Sequence, residues 1–258
     1  MKRRTEPEPS VPAAHGWDDP FAKLREKWAT IPLNVDGDRV DTKTLLAETD
    51  DQLVERWQRA RDADNSLDVR GWYRILYQDY ARGRKILDIG CGFAYDSITF
   101  AQNGAYVLCV DIVQSNLELV SRVAQRLGVG DRVSVHYMDG VHSLKSLPSD
   151  FDALLAVGSL HNAPSSLMKD EVLELARRLR TGGRWLQLAY PKARWEREGS
   201  LPFDEWAPLV DGPGTPWEEW YDIPKLLALL EPARFEPLLY YEFHNHDFNW
   251  FDLVFHGF

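Results

Sequence analysis

Asp88, Gly90 and Gly92 sit in the run Lys85-Ile86-Leu87-Asp88-Ile89-Gly90-Cys91-Gly92-Phe93-Ala94-Tyr95-Asp96, and Asp111 ends the run Tyr106-Val107-Leu108-Cys109-Val110. Each run reads as a short buried strand. The first breaks into a glycine turn followed by a helix. Glycine at 90 and 92 lets the backbone turn tightly and clears side chains from where a ligand must approach. An acid about twenty residues beyond such a turn typically accepts hydrogen bonds from the two hydroxyls of a ribose. The spacing therefore points to a nucleoside-containing cofactor.

What the turn lacks narrows the choice. A dinucleotide fingerprint needs G-x-G-x-x-G so that a pyrophosphate can sit on the helix N-terminus. Counted from Gly90, the last glycine falls at Tyr95, whose bulk would crowd a diphosphate. Asp88, just before the first glycine, would repel phosphate but suits a cofactor with a cationic amino end. S-adenosylmethionine has that character. The residues resemble the first motif of class I S-adenosylmethionine-dependent methyltransferases, roughly hydrophobic-hydrophobic-Asp-x-Gly-x-Gly-x-Gly, with Ala94 where the third glycine usually sits. The resemblance implies that Asp88, Gly90, Cys91 and Gly92 surround the methionine portion and that Asp111 holds the ribose. It implies that Ile112 offers an apolar face to the adenine, and that Asp139 and Gly140 meet its edge. Tyr73, in the helical segment before the motif, matches the aromatic that the family often lays over its cofactor.

Methyl transfer from a sulfonium is an in-line displacement in which the protein supplies alignment and proton management. An alcohol acceptor normally needs a base, whereas an amine needs only to be neutral. The segment after the fourth strand faces the reacting methyl and reads Gly158-Ser159-Leu160-His161-Asn162-Ala163-Pro164. His161 is the expected general base, with an unperturbed pKa near 6.5, and Asn162 its partner or an acceptor contact. His142, three residues past Asp139, is a second candidate. His244 and His246, between the last two strands, are expected to bind acceptor hydroxyls. No metal is expected, because the acid that metal-dependent catechol-type relatives carry after the fourth strand is replaced by Gly158-Ser159-Leu160. Six of the ten tryptophans lie after residue 184. Flat aromatic faces beside charges suit a polyhydroxylated ring, so Arg194, Trp195, Trp217, Glu218 and Trp220 are expected to bind the acceptor.

The elements that must position these residues follow from the pattern. Strands near 85–89, 106–110, 133–137, 152–158 and 184–190 alternate with helices near 95–103, 115–127 and 165–180, with Gly182-Gly183 as the last helix stop. That is an α/β, doubly wound, Rossmann-like and mainly parallel seven-stranded sheet, closed by an antiparallel pair near 237–243 and 249–256. Residues 1–15 are expected to be a disordered leader, 16–83 an N-terminal helical extension without strands, and 84–258 the catalytic domain. Within that domain, 191–222 would be a substrate-covering insertion.

Composition bounds the partners. A net charge of -10 argues against a nucleic-acid partner. No apolar run approaches the roughly 18 residues needed to span a bilayer. The two cysteines, Cys91 and Cys109, read as small buried hydrophobes in a reducing, cytoplasmic setting. The aromatic prelude and hydrophobic terminal strands would either cover the site or form a homodimer interface. The expectation is an O-methyltransferase acting on a small polar acceptor, with a sugar or oligosaccharide favoured through a faint resemblance to bacterial polysaccharide methyltransferases. An N-methyltransferase on a small amine and a non-catalytic cofactor-binding subunit are the alternatives.

Overall fold

The computed structural model describes residues 20–32, 39–64 and 69–258. The expected leader, 1–15, lies outside them. The described chain opens with α1 (Pro20–Trp28), a hairpin of β1 (Thr30–Pro32) and β2 (Arg39–Asp41), then α2 (Thr42–Leu45), α3 (Asp50–Asp64) and α4 (Trp72–Ala81). The hairpin is a departure from the all-helical prelude, its strands being three residues each and too short to show an alternating pattern.

Beyond it come β3 (Lys85–Ile89), α5 (Tyr95–Gln102), β4 (Tyr106–Asp111), α6 (Gln114–Arg126), β5 (Val133–Tyr137), a 3₁₀ turn (Val141–Ser146), β6 (Phe151–Val157), α7 (Ser165–Ala176) and β7 (Leu179–Ala189). The insertion holds α8 (Lys192–Arg197) and α9 (Phe203–Val210), and α10 (Ile223–Leu230), β8 (Arg234–Phe243) and β9 (Phe248–Gly257) end the chain. The seven strands run in the order β5-β4-β3-β6-β7-β9-β8. The first five are parallel, and β9 runs antiparallel to both of its neighbours, β7 and β8. In such a sheet ligands bind at the carboxyl ends of strands where the winding reverses, here between β3 and its neighbours β4 and β6.

Strand periodicity divides the core. Ile86, Val107, Cys109, Ala153, Leu155, Leu186 and Leu188 pack under α3 to α6, whereas Leu87, Ile89, Val110, Leu154, Ala156 and Trp185 pack under α7 and α10. Alternate residues of one strand thus feed opposite layers. Tyr73 and Tyr77 of α4 reach β9. Tyr73 stacks on Trp250 at 4.3 Å, and Tyr77 donates to Asp252 at 2.6 Å. Asp252 is also paired with Arg184. The Glu219 carboxylate, brought from the insertion, accepts the Ser165 amide at 2.9 Å and caps α7.

Gly182 and Gly183 are not a helix stop. α7 ends at Ala176, and both glycines lie inside β7 opposite a register shift in β6. Gly182 has φ +77°, and a Cβ on Gly183 would come within 2.8 Å of the Arg180 carbonyl. The glycines are there to form a bulge.

Candidate functional site

The turn after β3 is built by its glycines. Gly90 has φ +69°, and a Cβ there would meet the Ser159 Cβ at 2.4 Å, because the loop after β6 packs directly on it. Gly92 has φ +54° with open space where a Cβ would point. Ala94 adopts φ +53°, so the alanine standing in for the third glycine keeps the left-handed backbone. The amides of Gly90 and Cys91 donate to the Val110 carbonyl at 2.8 and 3.2 Å, tying the turn to the end of β4.

Asp111 is nearly buried. Its Oδ2 accepts from the Gly92 amide at 2.9 Å, and its Oδ1 from the Val113 amide at 2.8 Å and Asn116 Nδ2 at 3.3 Å. Burial raises its carboxyl to about 6 despite these donors. Asp88 accepts from Ser97 Oγ at 2.5 Å, and burial raises it to about 8, with Asp96 and Asp111 adding to the shift. Asp96 is ion-paired with Arg74 at 2.5 Å and receives Tyr73 OH at 3.3 Å.

These groups floor a cavity of about 710 Å³ that runs along the carboxyl ends of β3, β4, β6 and β7. Asp88, Gly90, Cys91, Gly92, Asp96, Asp111, Ile112 and Met138 line one part. Asn162, Leu188, Tyr190, Asp211 and Phe248 line another, and Phe21, Leu24, Lys27 and Trp28 of α1 lie across it with Arg39 and Arg70. Lys27 Nζ holds α1 down by donating to the carbonyls of Asp211 and Pro213, each at 3.0 Å. Tyr190 OH donates to Asp211 Oδ1 at 3.0 Å. Burial opposes the charge on Asp211, but Glu218, His161, Tyr190 and Arg39 outweigh it and hold its carboxyl below the ordinary value.

Six of the expected cofactor residues, Asp88, Gly90, Cys91, Gly92, Asp111 and Ile112, are on this wall, and so is Asn162. The others are elsewhere. Tyr73 is fully buried and reaches the cavity only through Asp96. Asp139 and Gly140 are off the wall; the Asp139 side chain is half exposed and faces His142 at 3.4 Å. His142 is itself exposed. His161 is fully buried behind the wall, stacked on Tyr190 at 4.8 Å, and burial pulls its pKa down to about 4. That position keeps it from meeting the acceptor directly.

Trp195, Trp217 and Trp220 are buried. Trp195 and Trp220 pack with Tyr190 and Trp206 in a small third core. Packing the insertion, not an acceptor, accounts for them. Arg194 covers the outer face of Tyr190 at 4.7 Å, and Glu218 is buried beneath Asn162, which donates to it. His244 and His246 are exposed and paired with Asp247 and Glu242. None of these seven lies on the wall.

Sequence reasoning missed Tyr190, Asp211, Glu171 and Lys27. Tyr190 had a signal, since it follows directly after the fifth parallel strand. Glu171 lines the cavity from α7, and burial alone raises its carboxyl to about 7. Asp211 and Lys27 had none, because folding joins them across 184 residues.

Residues 86–183 match the family model described as a methyltransferase domain. The chain is similar to methyltransferase GfsG of Streptomyces halstedii, 34% identical over 113 residues, covering 42% of this chain and 39% of that protein. It is also similar to the tRNA U34 carboxymethyltransferase of Aliivibrio salmonicida (strain LFI1238), 34% identical over 158 residues, covering 58% and 46%. The chain thus spans less than half the length of these curated relatives. Among solved structures, magnesium protoporphyrin IX methyltransferase from Synechocystis PCC 6803 with bound S-adenosylmethionine superimposes with a TM-score of 0.57 at 16% identity. That match covers 92% of this chain and 97% of the other.

Proposed function

We propose that residues 86–183, which match the methyltransferase-domain model, are of the class I, S-adenosylmethionine-dependent kind and that the protein methylates a hydroxyl of a small polar acceptor, a sugar or oligosaccharide being favoured. The observation that carries this is the single cavity in which Asp88, Gly92 and Asp111 adjoin the Tyr190–Asp211 pair. When bound, S-adenosylmethionine supplies an electrophilic methyl group on a sulfonium. The residues fit it: Asp111 has lone pairs left for two hydroxyls, Gly92 leaves open space, and Asp88 on the wall can give up its proton to face an ammonium. Glu171 comes from the helix packed on the 3₁₀ turn that follows Met138. It takes the adenine-edge role that Asp139 was expected to fill.

At the other end Asp211 accepts the proton of the acceptor hydroxyl, and Tyr190 OH fixes the carboxylate. Arg39 and Arg70 give polar contacts to further hydroxyls, beside the apolar faces of Trp28 and Phe248. A charge of -10 favours a small molecule over nucleic acid. An ionised Asp211 would also hold an ammonium, which keeps an amine acceptor as the second reading. The test is incubation with methyl-labelled cofactor and a panel of sugars and amines. Label in an O-methyl ether supports the proposal, and label only in N-methyl products overturns it in favour of the second reading.

A further inference from the structure

We propose that His161, Asp211 and Glu218 bind a divalent first-row transition-metal cation at the acceptor end of the cavity. The three come from separate segments, after β6, after α9 and before α10. One donor atom of each lies within 4.8 Å of the others, and His161 Nε2 stands 3.6 Å from Glu218 Oε2. Two ligands bound to zinc at about 2.1 Å and a tetrahedral angle are about 3.4 Å apart. The His161–Glu218 pair therefore needs only a small contraction, and closing the full set from within 4.8 Å takes a shift of about 1 Å.

Three polar atoms of this cluster lack partners of normal geometry, and the Glu218 and Asp211 carboxyls face each other. His161 and Glu218 are fully buried, and neither imidazole nitrogen nor Glu218 Oε2 has a hydrogen bond of normal geometry among the described residues. The Gly158 backbone lies near the ring. Leaving such buried groups unsatisfied is costly. Charge points the same way. Among the described residues Arg39 and Arg194 act on Asp211 and Glu218 at longer range than an ion pair, and Lys27 spends its donors on main-chain carbonyls.

The remaining oxygens are held as outer-shell partners hold metal ligands. Asn162 donates to Glu218 Oε1, and Tyr190 OH donates to Asp211 Oδ1. One imidazole with two carboxylates suits Zn²⁺, Mn²⁺ or Co²⁺. It suits Mg²⁺, which prefers oxygen alone, and Cu⁺, which prefers sulfur, less well. Asp211 lies on the cavity wall, so the ion would adjoin the acceptor. With the cation bound, Asp211 is a ligand and no longer the free base of the proposed function; a Lewis-acid effect on the acceptor hydroxyl rests on the methyl-transfer reading, and cation binding does not.

The experiment is calorimetric titration of the chelator-stripped protein with Zn²⁺, Mn²⁺ and Mg²⁺, for wild type, Glu218→Gln and a His244→Ala/His246→Ala control. Zn²⁺ or Mn²⁺ is expected to bind one per chain, at least about tenfold tighter than Mg²⁺, with a loss of about tenfold or more in Glu218→Gln. The control variant should bind as wild type does. No saturable Zn²⁺ or Mn²⁺ binding to wild type, equal binding by Glu218→Gln, or loss in the control variant overturns the proposal. Should Glu218→Gln fail to fold, Co²⁺ in wild type decides: visible ligand-field bands displaced by Zn²⁺ support the site, and their absence overturns it. S-adenosylhomocysteine binding, read in parallel, reports the cofactor site independently.

Discussion

The Asp111 carboxylate accepts the Gly92 amide proton at 2.9 Å, making the glycine turn after β3 and the acid at the end of β4 one hydrogen-bonded unit. The two sequence features that suggested a nucleoside ligand therefore hold each other in place before any ligand arrives. Replacing Asp111 by Ala strips partners from the buried Val113 amide and from Gly92 and should cost about 1–3 kcal/mol of stability. Asp111→Asn keeps the shape but replaces one acceptor oxygen by an NH2 that faces an N–H donor, so its melting temperature should fall between those of wild type and Asp111→Ala. Thermal unfolding of the two variants checks this contrast.

Proton uptake is the second consequence. Burial raises Asp88 to about 8 and Asp111 to about 6 in the ligand-free protein. A ligand ammonium near Asp88 favours its ionised form, so binding should expel a proton. Affinity for S-adenosylhomocysteine should then rise between about pH 6 and 8 and level off above that. Titrations in buffers of different ionisation enthalpy count the proton. 5′-Methylthioadenosine, which lacks the amino-acid end, should expel fewer; equal release by both would place the ammonium away from Asp88.

Gly90 and Gly92 should fail differently when changed to Ala. At Gly90 the left-handed φ and the 2.4 Å approach to Ser159 act together, and the loss should exceed about 2 kcal/mol. At Gly92 only the backbone strain applies, about 1 kcal/mol, but the added methyl projects into open space beside Asp111. Gly92→Ala should fold and bind S-adenosylhomocysteine weakly. A Gly92→Ala protein that binds at full strength would show that the ligand does not pass there.

How legible the site was depended on distance along the chain. The cofactor floor was readable because Asp88, Gly90, Gly92 and Asp111 lie within 24 residues of one another, on two adjacent strands with a fixed period. The parallel sheet was readable for the same reason. The acceptor end was not. Tyr190, Asp211 and Lys27 meet only because α1 folds back over the insertion, and no local pattern encodes that closure. Tryptophan content misled in a related way: large aromatic faces serve a small core as well as a sugar, and Trp195 and Trp220 serve the core. His161 stood at the right place in the sequence, but the turn after β6 sends it inward under Tyr190.

Glu171 gives a pH signature in stability. Its folded carboxyl, raised to about 7 by burial, keeps a proton that the unfolded chain gives up near the ordinary value of 4.5. Between those values unfolding releases a proton, so its contribution to stability falls as pH rises and stays low above about 7. Asp88 and Asp111 act in the same direction. Glu171→Gln should therefore be more stable than wild type at pH 8, by roughly 1–3 kcal/mol, and equal to it at pH 4. Chemical denaturation at the two pH values measures the difference. A Glu171→Gln protein no more stable than wild type at pH 8 would mean that Glu171 is solvated.

Tyr190→Phe removes the hydroxyl that fixes Asp211 while leaving the ring on His161. With the acceptor carboxylate less well held, kcat should fall about 10- to 100-fold, and S-adenosylhomocysteine affinity should not change. Steady-state kinetics together with binding separate the two effects. Loss of cofactor affinity would move Tyr190 out of the acceptor end.

The central claim, that the cavity joined by Asp111 and Gly92 holds S-adenosylmethionine, is tested most directly by calorimetric titration with S-adenosylhomocysteine and with NAD, on wild type and Asp111→Asn. The result predicted is one-to-one binding of S-adenosylhomocysteine to wild type, weakened about tenfold or more in the variant, with no heat from NAD. Binding of NAD, or S-adenosylhomocysteine affinity unaffected by Asp111→Asn, would contradict it.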